Sequence, residues 1–362
     1  MTNYNFSAGP GVLPTPVLTK IKDEFTKNEF THMSIIEISH RSSQFEEIIA
    51  SAEERLRDLM NISDDYGVAF IQGGGSTQFE MLPLNFANRK NKIAVLDSGN
   101  FAAKAATAAT AIGKTAIILD SSKDDKYHHL PMLSPDFHAD DYDYLHLTTN
   151  NTIEGATYHQ DNLPKTTGRM TADMSSNILA EPYDVNQFDA IFAGAQKNLG
   201  PAGVTVAIVK KDWLAEQNIQ HVGSMLRYQS YLDKHSMYNT PPVFSIYALD
   251  LVLEWVQEQG GVDSMYAQNI KKSSKLYDYI DNSSFYQALV DNSARSLTNV
   301  VFTTNNLERD QVIAKEAAKA GLFNLNGHRS VGGFRASLYN AQPQEAVDAL
   351  ITFLKKAEKE YK

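Results

Sequence analysis

The chain has no cysteine among its 362 residues. Disulfides, thiol nucleophiles and thiolate metal ligands are therefore excluded, and a reducing, cytoplasmic setting is expected. Positive charge is also in short supply: 33 Lys and Arg against 43 Asp and Glu leave a formal net charge of −10. That balance argues against nucleic acid as a partner, because phosphate backbones are met by basic patches. It leaves small anions open, since a few convergent arginines set a local field. No apolar run approaches the roughly 20 residues a membrane span needs. The first residues lack the basic-then-apolar order of a secretory signal. Neither a membrane nor a metal is expected as a partner. Internal repeats and low-complexity linkers are absent too.

What is present is an alternation of strand-like and helix-like stretches. Gly9, Pro10, Gly11 and Pro14 make residues 1–14 an irregular arm. A first helix is expected from Pro16 to about Lys27, with proline in its first turn. Residues 34–39 are expected to be extended, and Ser43-Gln-Phe-Glu46 has the form of a capping box opening a second helix. Strands are then expected at 66–72, 92–97, 115–119, 142–147 and 172–176, with two more inside 190–209. Strands alternating with helices predict an α/β fold whose mainly parallel sheet is covered on both faces. A long helix after Pro241-Pro242 stops at Gly260-Gly261, where a domain boundary is placed. Residues 15–260 then form a large domain and 261–362 a smaller α/β one, with the arm packing on the latter. In the smaller one a strand is expected at 333–338 and a last helix from Asn340.

Chemistry concentrates in Ala190-Ile-Phe-Ala-Gly-Ala-Gln-Lys-Asn-Leu-Gly-Pro201. A lysine at the tip of a buried strand, Lys197, is poorly solvated and easily deprotonated. A neutral amine can attack a carbonyl and hold it as a Schiff base. A surface hairpin with a solvated lysine fits this segment equally well. Upstream, Met170-Thr-Ala-Asp173-Met-Ser-Ser-Asn177 places one carboxylate in an otherwise buried run. Such a group needs a cationic or hydrogen-bonding partner, and a pyridinium nitrogen is one. Lysine on the aldehyde and aspartate on the ring nitrogen are what a protein contributes to pyridoxal phosphate chemistry. Reading Asp173 as a turn residue explains it alone and leaves Lys197 unexplained. Gly73-Gly-Gly75-Ser76-Thr77 offers backbone amides at a helix start, suited to phosphate. Alone it reads as readily as a tight turn.

Five blocks, in order and spacing, resemble the phosphoserine aminotransferase family, a branch of the class V, fold-type I pyridoxal phosphate enzymes. They are Asn5-Phe-Ser-Ala-Gly-Pro10, Ser39-His-Arg41, Ala193-Gly-Ala-Gln-Lys-Asn-Leu-Gly-Pro-Ala-Gly203, Tyr238-Asn-Thr-Pro-Pro242 and Gly327-His-Arg-Ser-Val-Gly-Gly-Phe-Arg335-Ala-Ser-Leu-Tyr-Asn340. The resemblance implies a seven-stranded sheet between helices in the large domain. It implies that Gly75 and Ser76 hold the cofactor phosphate, that Phe101 stacks on the ring, and that Thr152 and Gln196 lie beside it. Asn239 and Thr240 would reach the phosphate from a neighbouring subunit, so the site would be completed only in a homodimer. Arg335 would take the substrate α-carboxylate in two-point fashion. His328 and Arg329, with Arg41 from the other subunit, would receive the distal anion. Many family members carry a basic residue where Ser76 stands, so the other cations must carry that anion here. The implied activity is a transaminase of serine biosynthesis. It passes an amino group between L-glutamate and 3-phosphohydroxypyruvate, giving 2-oxoglutarate and O-phospho-L-serine. A second class V activity, of the alanine–glyoxylate type, is the alternative; it would not need the Arg41, His328 and Arg329 pocket.

Overall fold

The chain is described here by a computed structural model covering residues 3–362. Strands buried along their length must be covered on both faces, and the inner strands of the central sheet are built that way. Its seven strands run, edge to edge, Tyr66–Gly73, Gly203–Lys210, Ala190–Gly194, Met170–Asp173, Leu145–Thr148, Lys92–Asp97 and Thr115–Ser121. Gly203–Lys210 is antiparallel to both neighbours, and the other pairings are parallel. The sheet is thus mainly parallel, as expected. Helices Ser43–Met60 and Val243–Glu258 cover one face, with Phe45, Ile49, Leu56, Leu249 and Leu253 buried there. Helices Gly75–Phe86 and Asn100–Ala111 pack on the other, where Phe86 stacks on Trp213 at 3.9 Å between centroids.

A separate core forms further along the chain. A three-stranded antiparallel sheet, Gln287–Ala288, Asn299–Thr303 and Phe334–Ser337, packs with helices Leu307–Lys319 and Gln344–Tyr361. The arm reaches this core. Tyr4–Asn5 pairs in parallel with Leu322–Phe323, and Phe6 is fully buried beside them. Among the described residues no helix is long and apolar enough to cross a membrane. Nor do any three or more His, Asp or Glu side chains among them gather as a metal site would require.

Several boundaries differ from the sequence reading, each for a local reason. The second helix is capped by Ser42, whose hydroxyl accepts the Phe45 N–H at 3.3 Å, so Ser43 is already inside it. Residues 34–39 form turns rather than an extended piece. The strand at Leu145 starts late because Asp143 is turned aside to accept the N–H groups of Arg89, Lys90 and Lys92. The last helix starts at Gln344 rather than Asn340. Asn340 is drawn inside instead, taking bonds from Asn269 Nδ2 at 2.8 Å and giving its own N–H to Asn198 Oδ1 at 2.9 Å.

The turn after Phe334–Ser337 is held by Lys272, a lysine only 3 % exposed on helix Gly261–Asp281. Its ammonium donates to the carbonyls of Leu338, Tyr339, Asn340 and Gln342 at 2.9–3.4 Å. Burial works against the ammonium and lowers its pKa to about 7. The carbonyls work for it, because only the charged form has three N–H donors. Lys272→Met keeps the stem and leaves these acceptors without a donor. We expect it to destabilise the protein by about 3 kcal/mol, measured as a lower midpoint of chemical denaturation; an unchanged midpoint would refute this role.

Candidate active site

The chemistry-bearing residues stand where sheet strands end. Asp173 is the last residue of its strand, in register with Thr148 on one side and Phe192 on the other. Its carboxylate accepts the Ser175 N–H at 2.9 Å, a turn that ends the strand and aims the side chain off its tip. Asp173 is 6 % exposed. Burial pushes its pKa up, while Lys197 and the Ser175 bonds pull it down.

Lys197 lies in the turn between Ala190–Gly194 and Gly203–Lys210. Its side chain is partly exposed along its length, but the amine sits deep. Burial lowers its pKa to about 8; Asp173 opposes the shift and Arg335 adds to it. The amine donates to Thr152 Oγ1 at 2.7 Å and stands 4.9 Å from the centroid of the Phe101 ring. Thr152 Oγ1 is held in turn by Ser176 Oγ at 3.0 Å. The arm closes over the lysine. Gly11 gives its N–H to the Gln196 carbonyl at 2.7 Å, and a Cβ at Gly11 would lie 2.6 Å from Lys197 O and 2.8 Å from the Tyr339 ring. Only glycine fits there.

Gly75 and Ser76 open helix Gly75–Phe86, with no side chain capping its N-terminus. Gly73, at φ +115°, makes the turn from strand to helix. A Cβ on Gly74 would meet nothing within 4 Å, so there is room beside the helix start. Arg335, on strand Phe334–Ser337, donates from Nη1 to Thr152 O at 3.4 Å. Its Nε is buried with no partner among the described residues, and burial lowers the pKa of its guanidinium. His328 bonds Ser330 Oγ through Nδ1 at 2.7 Å. Burial and then the charges of Arg335, Arg329 and Lys104 lower its pKa.

A model of the class V aminotransferases matches residues 3–350. A curated phosphoserine aminotransferase of Leuconostoc mesenteroides is 88% identical over 362 residues, all of both chains. The solved structure of the Bacillus circulans subsp. alkalophilus phosphoserine aminotransferase superposes with a TM-score of 0.95 at 43% identity, over 100% of this chain and 99% of the other. A pyridoxal phosphate-bound phosphoserine aminotransferase of Trichomonas vaginalis does so with a TM-score of 0.92 at 34% identity, over 98% and 100%. The chain belongs to the phosphoserine aminotransferase branch of the class V aminotransferases.

For a class V chain the grouping of residues is informative. Asp173, Lys197, Thr152, Phe101 and Arg335 converge, and Gln196 lies next to Lys197 at the foot of the arm. His328 and Arg329 share the electrostatic neighbourhood of Arg335. Arg41, Asn239 and Thr240 are exposed, and none hydrogen-bonds to the Lys197 group among the described residues. Asn239 Nδ2 lies 3.5 Å from Gln72 Oε1, and Gln72 Nε2 donates to the Thr240 carbonyl. Sequence reasoning missed Ser175 and Ser176, which orient Asp173 and Thr152. The Asp-x-Ser spacing of an Asx turn is the signal that could have found Ser175. It also missed Glu154, which accepts the Asn100 N–H at 3.0 Å and fixes the helix carrying Phe101.

Proposed function

We propose that this chain is a pyridoxal phosphate-dependent phosphoserine transaminase. It moves an amino group reversibly between L-glutamate and 3-phosphohydroxypyruvate, in serine biosynthesis. The alanine–glyoxylate alternative is not favoured beside 88% identity to a phosphoserine aminotransferase. The observation that carries the reading is the meeting of a buried carboxylate, an amine with a lowered pKa and a guanidinium without an anion in one place. These residues fit the cofactor: the amine suits an aldehyde, the carboxylate a ring nitrogen, and the uncapped helix start at Gly75 and Ser76 a phosphate. When bound, pyridoxal phosphate supplies the aldehyde and a ring that accepts electrons from the substrate Cα.

Lys197 would hold the cofactor and then move the Cα proton as general base and acid. Asp173 would keep the ring nitrogen protonated. Phe101 would lie against the ring, with Thr152 and Gln196 beside it. Arg335 takes the α-carboxylate and keeps it in place for proton transfer. His328 and Arg329 receive the distal anion, a phosphate in one half-reaction and a carboxylate in the other. Arg41, Asn239 and Thr240 serve the partner's site, which makes the working unit a homodimer; their exposure in one chain supports this. The same proposal includes a large domain 15–260, a smaller one 261–362 that receives the arm, and a cytoplasmic location. The separate core built from Phe6 and residues 276–357 supports that division. The test is an absorption spectrum before and after adding O-phospho-L-serine. A yellow protein that bleaches as the amino group is taken up is expected; colourless protein, or colour indifferent to phosphoserine, overturns the reading.

A further inference from the structure

We propose that Lys104 is a specificity-determining cation of this site, reading the second negative charge of a phosphorylated substrate. The inference rests on the transaminase reading above. Lys104 lies one turn beyond Phe101 on helix Asn100–Ala111, so both side chains share a face. Its Nζ is 5.2 Å from the centroid of the Phe101 ring, the same ring that the Lys197 amine approaches to 4.9 Å. The loop carrying His328 and Arg329 docks on the start of this helix. Asn100 Nδ2 is 3.5 Å from Ser330 Oγ, and Ser330 Oγ is 2.7 Å from His328 Nδ1. The Lys104 charge is felt at His328, where it joins Arg335 and Arg329 in opposing protonation.

Among the described residues no carboxylate forms an ion pair with Lys104, Arg329 or Arg335. Like charges gathered without a counter-ion repel one another until an anion arrives. Ser76, at the phosphate-binding helix start, adds no charge of its own. Arg335 and Arg329 suffice for two single charges. A phosphate carries nearly two by itself near pH 7, and Lys104 would join the Arg41 proposed to come from the other subunit in meeting the surplus. Glutamate presents a single charge at the same end, so it has less to gain from Lys104.

The experiment is steady-state kinetics of Lys104→Met and Lys104→Arg holoenzymes with both substrates. For Lys104→Met the KM for 3-phosphohydroxypyruvate should rise about tenfold, with kcat and the KM for glutamate held within about threefold. Lys104→Arg should restore most of the loss, and added salt should narrow the gap between variant and parent. Equal rises in both KM values, no rise in either, or a loss confined to kcat would each overturn the proposal. Failure of the parent enzyme to turn over 3-phosphohydroxypyruvate would instead sink the transaminase reading itself.

Discussion

Lys197→Ala gives a folded protein that is colourless and about 10⁴-fold slower, the upper end of what one positioned acid–base contributes. The loss is large because, in the proposed reading, one atom does two jobs: it would hold the cofactor and move the Cα proton. The fold survives because the turn is closed by bonds that do not involve the Lys197 side chain. Ala195 N–H reaches Val204 O at 3.0 Å, and the Leu199 and Gly200 N–H groups reach Ala195 O at 3.1 and 2.8 Å. A small primary amine such as methylamine should restore part of the turnover, since it replaces the lost base. The pH behaviour follows from the same amine. In the cofactor-free protein its pKa is about 8, against 10.5 in the unfolded chain. Below about pH 8 both states hold the proton. Between these values the unfolded chain holds it and the folded chain does not, so stability rises with pH across that window. Lys197→Ala should flatten this rise. Retention of both colour and turnover by the variant would refute the assignment.

The central sheet was legible because its strands carry short buried apolar runs; Lys92–Asp97, apolar between its charged ends, and Ala190–Gly194 leave little else to infer. Lys197 was only half legible, since a solvated hairpin lysine fits its own segment equally well and the choice rested on Asp173 upstream. Asp173 was found by the contrast of charge against burial. What the sequence did not carry were contacts across long separations. Arg335 meets Thr152 over 183 positions, and Tyr339 OH meets Ala8 O over 331. Nothing local marks either pair. The two-residue strand Tyr4–Asn5 was invisible because Leu322–Phe323 gives it its shape, not its own composition. Asn340 was misread as a helix start because asparagine is a good cap; only its partners Asn198 and Asn269 reveal that it is a buried knot. Arg41, Asn239 and Thr240 came from family resemblance alone, and a single chain leaves them on its surface.

Asp173→Asn is expected to lower kcat about 10³-fold, the order that removing one preorganised electrostatic partner costs, or about 4 kcal/mol in the barrier. Asparagine matches aspartate in shape, and its Oδ1 can still accept the Ser175 N–H that shapes the turn. The Asp173 carbonyl, which takes the Thr149 N–H and hydroxyl at 3.0 Å, is untouched. What disappears is the negative charge. Without it nothing in the site favours a proton on the ring nitrogen, and the ring becomes a poor acceptor of electrons from Cα. The KM for glutamate should change little, because in the proposed reading Arg335 and not Asp173 faces the substrate carboxylate. A second readout separates charge from shape. Asp173 holds the Lys197 pKa up against burial, so the asparagine variant should carry a Lys197 amine that titrates below about 8 in the cofactor-free protein. Amine labelling as a function of pH measures this directly. A variant within about threefold of the parent in kcat, with its lysine titrating unchanged, would make Asp173 a turn-former only, since the turn is the one thing the substitution preserves.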